Sequence, residues 1–97
     1  MISGKILGFK FASGKNKDGK DWRNCQVFLD KGEISHDIDG LGHDIATIVG
    51  FTDNAQDLYS LVNSFEIGDQ VIVDANKYNG VYAFGESKYF VLDPRNS

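Results

Sequence analysis

Aromatic and amide side chains alternate along one short segment of the chain. The even positions of residues 21–30 hold two aromatic rings and two amides, in the order Trp22, Asn24, Gln26 and Phe28. The intervening odd positions are apolar from Cys25 onward, and this alternation predicts a strand that buries one face. Exposed aromatic rings stack on nucleobases and amides hydrogen-bond to base edges, so the even face is a candidate binding surface.

Basic side chains lie next to that surface in the sequence. Residues 13–20 form a polar cluster that ends in Asp18-Gly19, and this cluster predicts a hairpin turn. The cluster and the position after Trp22 supply four cations, which are Lys15, Lys17, Lys20 and Arg23. Cations placed in this way neutralise phosphates and make binding depend on salt.

A second hairpin is predicted at Asn79-Gly80, a dipeptide typical of type I′ turns. It carries Lys77 and Tyr78 directly before the turn, and these form a second basic and aromatic tip. Tyr82 follows the turn on the face opposite Val81. It is a further candidate for stacking.

The net charge is divided unevenly along the chain. The whole sequence of 97 residues carries 10 basic and 14 acidic side chains, a net charge of −4. Residues 1–31 hold seven basic and three acidic side chains, a net of +4, and residues 32–97 hold three against eleven, a net of −8. An acidic total argues against a nucleic-acid ligand, but the basic N-terminal segment reverses that inference for one face.

Each of these residues also has a purely structural interpretation. Trp22 could cap the end of a small core, and Phe28 could pack beneath a helix. The lysines could simply be solvated on an exposed hairpin. The remaining phenylalanines at positions 9, 11, 51, 65 and 90 are predicted to be core or dimer contacts.

No catalytic or metal-binding arrangement stands out. The segment His36-Asp37-Ile38-Asp39 with His43-Asp44 offers possible ligands, but its spacing matches neither a helical zinc site nor a calcium loop. Gly40-Leu41-Gly42 lacks the third glycine of a dinucleotide loop. Cys25 shares the apolar face of its strand and is predicted to be a buried structural thiol. We therefore expect no enzyme activity, no cofactor and no metal.

Length and composition place the chain among small intracellular domains. Ninety-seven residues predict a single domain, 1–97, and a single cysteine fits a reducing compartment. The first residues lack the layout of a signal peptide, and no apolar run is long enough to cross a membrane. We expect a cytoplasmic protein without a membrane partner.

The order of predicted elements indicates a specific fold. Strands are predicted over residues 2–12, 21–30, 44–52, 70–77 and, as a last strand interrupted after Phe84, 81–84 with 89–92. One helix is predicted over 54–65, capped by Asp53 and Gln56 in a capping box. Five strands with a helix between the third and the fourth form the OB-fold, a small Greek-key barrel in an all-β class. An open α+β sheet with the helix on one face is the competing layout.

The hairpin region resembles a known group of proteins. Ser13-Gly14-Lys15, followed by Asp18-Gly19-Lys20-Asp21-Trp22, is similar to the basic loop with a following aromatic residue in small single-stranded-DNA-binding proteins of phages and mobile elements, in particular the gene V protein type of filamentous phages. The resemblance covers roughly the first third of the chain and, beyond it, only the general order of the barrel strands. It implies cooperative binding of single strands without sequence preference, by a homodimer that covers replication intermediates in the cytoplasm of a bacterial host.

The primary hypothesis from sequence is thus a non-catalytic protein that binds single-stranded DNA. Bases would stack on Trp22, Tyr78 and either Phe28 or Tyr82, with Asn24 and Gln26 between them. Phosphates would be held by the cations Lys15, Lys17, Lys20, Arg23 and Lys77. A protein-interaction module that uses the same barrel is the chief alternative, and RNA or carbohydrate binding is a third.

Overall fold

The computed structural model describes residues 1–35 and 42–94, with the backbone alone for residues 33–35. These residues form seven strands and one helix. In chain order they are β1 (Ile2–Lys15), β2 (Asp21–Ser35), β3 (Gly42–Phe51), α1 (Asp53–Val62), β4 (Gln70–Val73), β5 (Ala75–Tyr78), β6 (Val81–Phe84) and β7 (Phe90–Leu92). Within the described ranges, no helix is long and apolar enough to cross a membrane.

The strands form a single curled sheet in the order β5-β6-β3-β2-β1-β4-β7. All neighbouring pairs are antiparallel except β3 and β6, which are parallel. Strand β5 ends the sheet on one side and β4 lies next to the last strand on the other, yet only Asp74 separates β4 from β5 in the chain. The two sides of the sheet must therefore approach each other. The predicted all-β, barrel-like architecture is confirmed at this level.

The strand count differs from the predicted five because Asp74 divides one predicted strand. Its N–H donates to the carbonyl of Tyr89, and its carbonyl accepts from the N–H of Gly85. The backbone of Asp74 thus bonds to the segment before β7 and to the segment after β6. The chain passes at this residue from β4, near one end of the strand order, to β5 at the other end. Residues 90–92 form a separate strand that pairs with β4 and does not continue β6.

The interior of the sheet is lined by alternate residues of β2. Cys25, Val27 and Leu29 are fully buried, as the sequence pattern predicts. Strand β3 contributes Ala46 and Ile48 to the same interior. The remainder of the core consists of Ile2, Ile6, Ala55, Leu58, Val62, Val71, Val73, Ala75, Phe84 and Phe90.

Helix α1 begins directly after β3, and its start differs from the predicted capping box. Asp53 is the first helical residue, and Thr52 occupies the N-cap position without a side-chain capping hydrogen bond. The Thr52 N–H donates to the carbonyl of Arg23, and its hydroxyl donates to the Phe51 carbonyl. These bonds hold Thr52 at a φ of 54°, and the N-cap falls one residue before the predicted Asp53. The helix ends at Val62, before the predicted limit at residue 65.

Close contact between β3 and the helix explains which face of β3 points inward. A Cβ atom at Gly50 would lie 2.8 Å from the Asn54 carbonyl oxygen. Only glycine permits this approach of strand and helix backbone. Gly50, Ile48 and Ala46 therefore line the interior, and Phe51 points outward.

Both predicted hairpin turns are confirmed. Asn79 and Gly80 have φ values of 49° and 85°, which are the two positive angles of a type I′ turn. The first turn spans Asn16–Lys20 with Gly19 at a φ of 77°. Strands β1 and β2 extend further than predicted, because β1 runs to Lys15 and β2 runs to Ser35. Residues 31–35 are therefore strand where a loop is predicted.

Burial of Cys25 leads to a prediction about its thiol. Desolvation raises the pKa of Cys25 from its ordinary value of 9.0 to about 11. A neutral, buried thiol reacts slowly. We expect Ellman's reagent to label the native protein far more slowly at pH 8 than the protein unfolded in urea. Equal labelling rates would contradict the fold.

The same pKa predicts how stability changes with pH. Between the ordinary pKa of 9.0 and the folded-state pKa of about 11, the unfolded chain loses the thiol proton and the folded chain keeps it. Stability is therefore lost as pH rises through this range. The free energy of unfolding should fall more steeply there in the wild type than in Cys25→Ala.

Candidate functional site

The outward side chains of β2 form the centre of the candidate site. Trp22 is 43% exposed, and Asn24, Gln26 and Phe28 are half-buried on the same side of the strand. Cys25, Val27 and Leu29, on the opposite side of β2, fill the interior. The predicted division of β2 into a core face and an outward face is therefore confirmed.

Trp22 lies across the neighbouring strand. It pairs with Gly14 of β1, and a Cβ atom at Gly14 would lie 2.9–3.1 Å from the indole atoms Cζ2, Cε2 and Nε1. A glycine opposite an aromatic residue lets the ring cover the partner strand, a pairing known to stabilise sheet edges. The indole is thereby positioned against β1, with part of its surface open to solvent.

This packing predicts that Gly14→Ala displaces the indole. The ring is the movable end of an exposed side chain, so the free energy of unfolding should change by only about 0.5 kcal/mol. The emission maximum of Trp22 should shift because its surroundings change. Gly8→Ala is the matched control, since Gly8 faces Phe28 on the same side and nothing lies within 4 Å of its added Cβ. An identical emission spectrum in both variants would contradict the packing.

Strand β3 adds an aromatic residue that the sequence does not assign to the site. Phe51 is predicted to be a core or dimer contact, but it is 60% exposed and pairs directly with Asn24. Directly paired residues in an antiparallel sheet lie on the same side, so Phe51 belongs to the outward face beside Trp22. The sequence carries no signal for this placement, because the contact that decides it, between Gly50 and the helix, exists only in the folded chain.

Lys10 is a second residue that sequence reasoning missed. It pairs with Gln26, which in turn pairs with Val49 of β3. Val49 pairs with Ala83, and Ala83 pairs with Asn76. One row across the sheet therefore carries a cation beside an amide, close to the aromatic rings.

We call the outward surface of β1, β2 and β3 the outer face. It consists of Lys10, Trp22, Asn24, Gln26, Phe28 and Phe51.

The second hairpin presents its two tyrosines on opposite sides. Tyr78 is 71% exposed and pairs with Val81. Val81 lies two residues before Ala83 and therefore on the same side of β6, which is the side of the outer face. Tyr78 lies on that side too, because it pairs directly with Val81. Tyr82 is half-buried against the core, and the Lys77 ammonium lies 5.9 Å from the centroid of its ring. Tyr78 thus flanks the outer face, and Tyr82 does not.

The tip of the first hairpin holds its lysines in solvent on an ordered turn. The Asn16 side-chain oxygen accepts hydrogen bonds from the N–H groups of Asp18 and Lys20, at 2.9 and 3.0 Å. This arrangement is an Asx-type turn, which fixes the backbone without using the lysine side chains. Lys15, Lys17 and Lys20 are all exposed.

Arg23 points to the other side of β2 from Trp22. It lines an open cleft of about 510 Å³ at the base of the first hairpin. The other lining residues are Ser13, Gly14, Lys15, Asp21, Trp22 and Thr52. The cleft thus combines two cations with one side of the indole, at the edge of the outer face.

The two hairpin tips do not come together, although an OB-fold is expected to bring the loops that carry them to one binding face. The first tip lies beyond the pair of Asn24 and Phe51, whereas the pairing of β6 with β3 places Asn79-Gly80 toward the start of β3. The base of the first hairpin and the turn of the second are separated by about eight residues along the direction of β3. At about 3.3 Å per residue, this separation is about 26 Å. The tips therefore bracket the outer face from its two ends.

One polar atom of the outer face has no partner within the described residues. The side-chain oxygen of Asn24 is buried and makes no hydrogen bond there. Its neighbours across the sheet are Ala12 and Phe51, neither of which offers a side-chain donor. A buried polar group without a partner is rare in folded proteins.

The far end of β2 and β3 is polar and carries two side-chain pairs that join the strands. His43 Nδ1 lies 2.7 Å from the Asp30 carboxylate, and Lys31 lies 3.4 Å from that of Asp44. The hydrogen bond with His43, together with that from the Gly32 N–H, lowers the pKa of Asp30. Across residues 1–35 and 42–94 no group of three potential metal ligands occurs. The candidate ligands His36, Asp37 and Asp39 lie outside the described residues.

No protein-family model matches the chain, and no curated protein matches it either.

Proposed function

We propose that the protein binds single-stranded DNA without sequence preference and protects replication or recombination intermediates. The observation that carries the proposal is the outer face, where exposed Trp22 and Phe51 lie beside amides and next to a hairpin of exposed lysines. Stacking rings with neighbouring cations are the two components of single-strand binding surfaces. An acidic remainder of the chain would restrict binding to this face.

The fold assignment that accompanies this function is a five-stranded OB barrel. If β4 and β5 are counted as one strand bent at Asp74, and β7 as an added edge, the order becomes five strands with the helix between the third and the fourth. The parallel pairing of β3 and β6 supports this assignment, because it joins the third and the fifth strand of that order. OB-folds bind oligonucleotides on the face of their second and third strands, which is where the outer face lies.

Each part of the surface has a distinct role in the proposed complex. Trp22 and Phe51 stack on successive bases, and Tyr78 stacks on a base at the far end. The cations Lys10, Lys15, Lys17, Lys20 and Arg23 contact phosphates on the side of the first hairpin. Lys77 pairs directly with Tyr82 and lies with it on the opposite side of the sheet, so the five other cations make the phosphate contacts. Stacking accepts every base, so sequence preference is weak.

The proposal predicts a strong dependence of affinity on salt. Each phosphate contact on a single strand contributes about −0.7 to the slope of log K against log salt, so five contacts predict about −3.5. The slope is measured by fluorescence anisotropy of a labelled oligothymidylate. The double variant Lys17→Gln/Lys20→Gln should reduce the slope by about 1.4.

Lys88→Gln serves as the control because Lys88 pairs with Asp57, away from the outer face. It should keep the wild-type slope. Absence of any binding at low salt would reject the proposal, and salt-independent binding of the oligonucleotide would contradict the assigned phosphate contacts.

A further inference from the structure

The edge of β1 that faces away from β2 is unpaired over much of its length. Strand β4 pairs with β1 only from Ile2 to Lys5, and the N–H and carbonyl of Ile6 bond to the turn before β4. Beyond Ile6, residues 7–15 pair only with β2 among the described residues. This open stretch is longer than either of the terminal strands β5 and β7, which have four and three residues.

The backbone groups of the odd-numbered residues 9–15 point outward from this edge. The Asn16 N–H donates to the Lys20 carbonyl, so these two residues form a hydrogen-bonded pair. Such pairs alternate with non-bonded ones along an antiparallel ladder, so the odd residues of β1 turn their N–H and carbonyl groups away from β2. The bond from Thr52 to the Arg23 carbonyl agrees with this phase, because that carbonyl also points away from β1. The edge therefore presents a regular row of donors and acceptors.

Two aromatic rings line the edge on the side of the helix. Phe9 and Phe11 pack on Tyr59 of α1 with ring centroids 5.6 and 4.7 Å apart, yet they stay 39% and 37% exposed. An open edge with exposed aromatic residues readily pairs with an added strand, whose alternate side chains cover the rings. A nucleic acid has no matching row of donors and acceptors, so a peptide strand fits this edge.

The charge of β1 indicates what kind of peptide fits. The strand carries Lys5, Lys10 and Lys15 and no acidic residue. Lys10 and Lys15 lie on the open stretch, and both are exposed. Lys15 pairs with Asp21 in the ladder, but neither lysine forms an ion pair within the described residues. Opposite charges placed directly across two strands stabilise their pairing, so acidic side chains are favoured opposite these lysines.

We propose that this edge is a docking site for an extended acidic segment of another protein, which adds a strand antiparallel to residues 9–15. The antiparallel direction is the more stable one per residue, and β1 already pairs in this way with β2 and β4. Apolar side chains of the segment then lie opposite Phe9 and Phe11, and acidic side chains lie opposite Lys10 and Lys15. From its N-terminus the segment reads acidic, any, polar, any, apolar, acidic, apolar.

A synthetic peptide tests the charge requirement. The probe is Glu-Thr-Thr-Thr-Val-Glu-Val with an amidated C-terminus and a neutral fluorophore at its N-terminus, so that its first residue lies opposite Lys15. Fluorescence anisotropy should show binding with a Kd below about 1 mM. The charge-reversed peptide, with lysine in place of both glutamates, should bind at least about tenfold more weakly. No DNA is present, so the result is independent of the proposed function.

Methylation of peptide amides tests the backbone pairing. The N–H groups of the third and fifth peptide residues face Ser13 and Phe11 in the proposed register, whereas those of the second and fourth point away from the edge. Methylating the third and fifth should weaken binding at least about tenfold, because two hydrogen bonds are lost. Methylating the second and fourth is the matched control and should leave the affinity unchanged.

A charge swap on the protein tests the location. Lys10→Glu should lower the preference for the acidic peptide over the charge-reversed one at least about tenfold. Lys17→Glu, at the hairpin tip, makes the same change in net charge and should keep the wild-type preference. The proposal is overturned if the acidic peptide does not bind at about 1 mM, or if both methylation patterns have equal effects. Equal effects of the two variants would also overturn it. So would self-association of the protein that the peptide does not displace, since the edge would then belong to a second copy.

Discussion

Removing both exposed rings of the outer face should nearly abolish binding of single-stranded DNA. Base stacking on an aromatic ring contributes about 1–3 kcal/mol per base. The double variant Trp22→Ala/Phe51→Ala should therefore lose about 2–6 kcal/mol of binding free energy, a drop in affinity of at least about 25-fold. Anisotropy of a labelled oligonucleotide at fixed salt measures this loss.

A control for that variant removes a comparable ring from elsewhere. Tyr89 is 36% exposed and precedes β7, on the side of the sheet away from β2 and β3. Tyr89→Ala should bind with wild-type affinity. If the loss in the double variant does not exceed that in the control, stacking on the outer face is wrong.

Truncating the central side chain of the helix should cause the largest loss of stability. Leu58 is fully buried and lies between Ala55 and Val62 on the face of α1 that packs against β2 and β3. Leu→Ala substitutions at such sites remove apolar contact and leave a cavity, which costs about 2–5 kcal/mol. Urea unfolding of Leu58→Ala should show this decrease.

Leu61 provides the comparison within the same helix. It is only partly buried, so Leu61→Ala should cost clearly less than Leu58→Ala. An equal or greater cost at Leu61 would mean that the helix presents a different face to the sheet. The comparison uses the same substitution, so helix propensity cancels.

The sequence predicts the faces of β2 well because only one of them is apolar. Cys25, Val27 and Leu29 alternate with polar and aromatic residues, and period-two alternation is enough to orient the strand. The turns are equally local, since Asn79-Gly80 and Asp18-Gly19 carry their backbone preference in the residue types themselves.

The faces of β3 could not be predicted in this way because both are apolar. Ile45, Val49 and Phe51 alternate with Ala46, Ile48 and Gly50, so periodicity does not distinguish inside from outside. The approach of the helix at Gly50 decides the matter, and that contact depends on tertiary structure. Phe51 therefore becomes a site residue only in the folded chain.

Other differences also arise from tertiary contacts. Thr52 takes the N-cap position because its N–H bonds to β2, and this overrides the capping box suggested by Asp53 and Gln56. The division of the predicted strand at Asp74 follows from the change of neighbours at one corner of the sheet. Tyr82 turns toward the core because the β3–β6 pairing sets its side of the sheet.

The central claim is that the outer face stacks on bases, and the fluorescence of the sole tryptophan tests it most directly. Trp22 belongs to that face, so no label or substitution is needed. Titration of the wild-type protein with oligothymidylate at low salt should quench the emission to saturation, and added salt should restore it. Emission that stays constant under conditions in which the protein binds DNA would contradict stacking on Trp22.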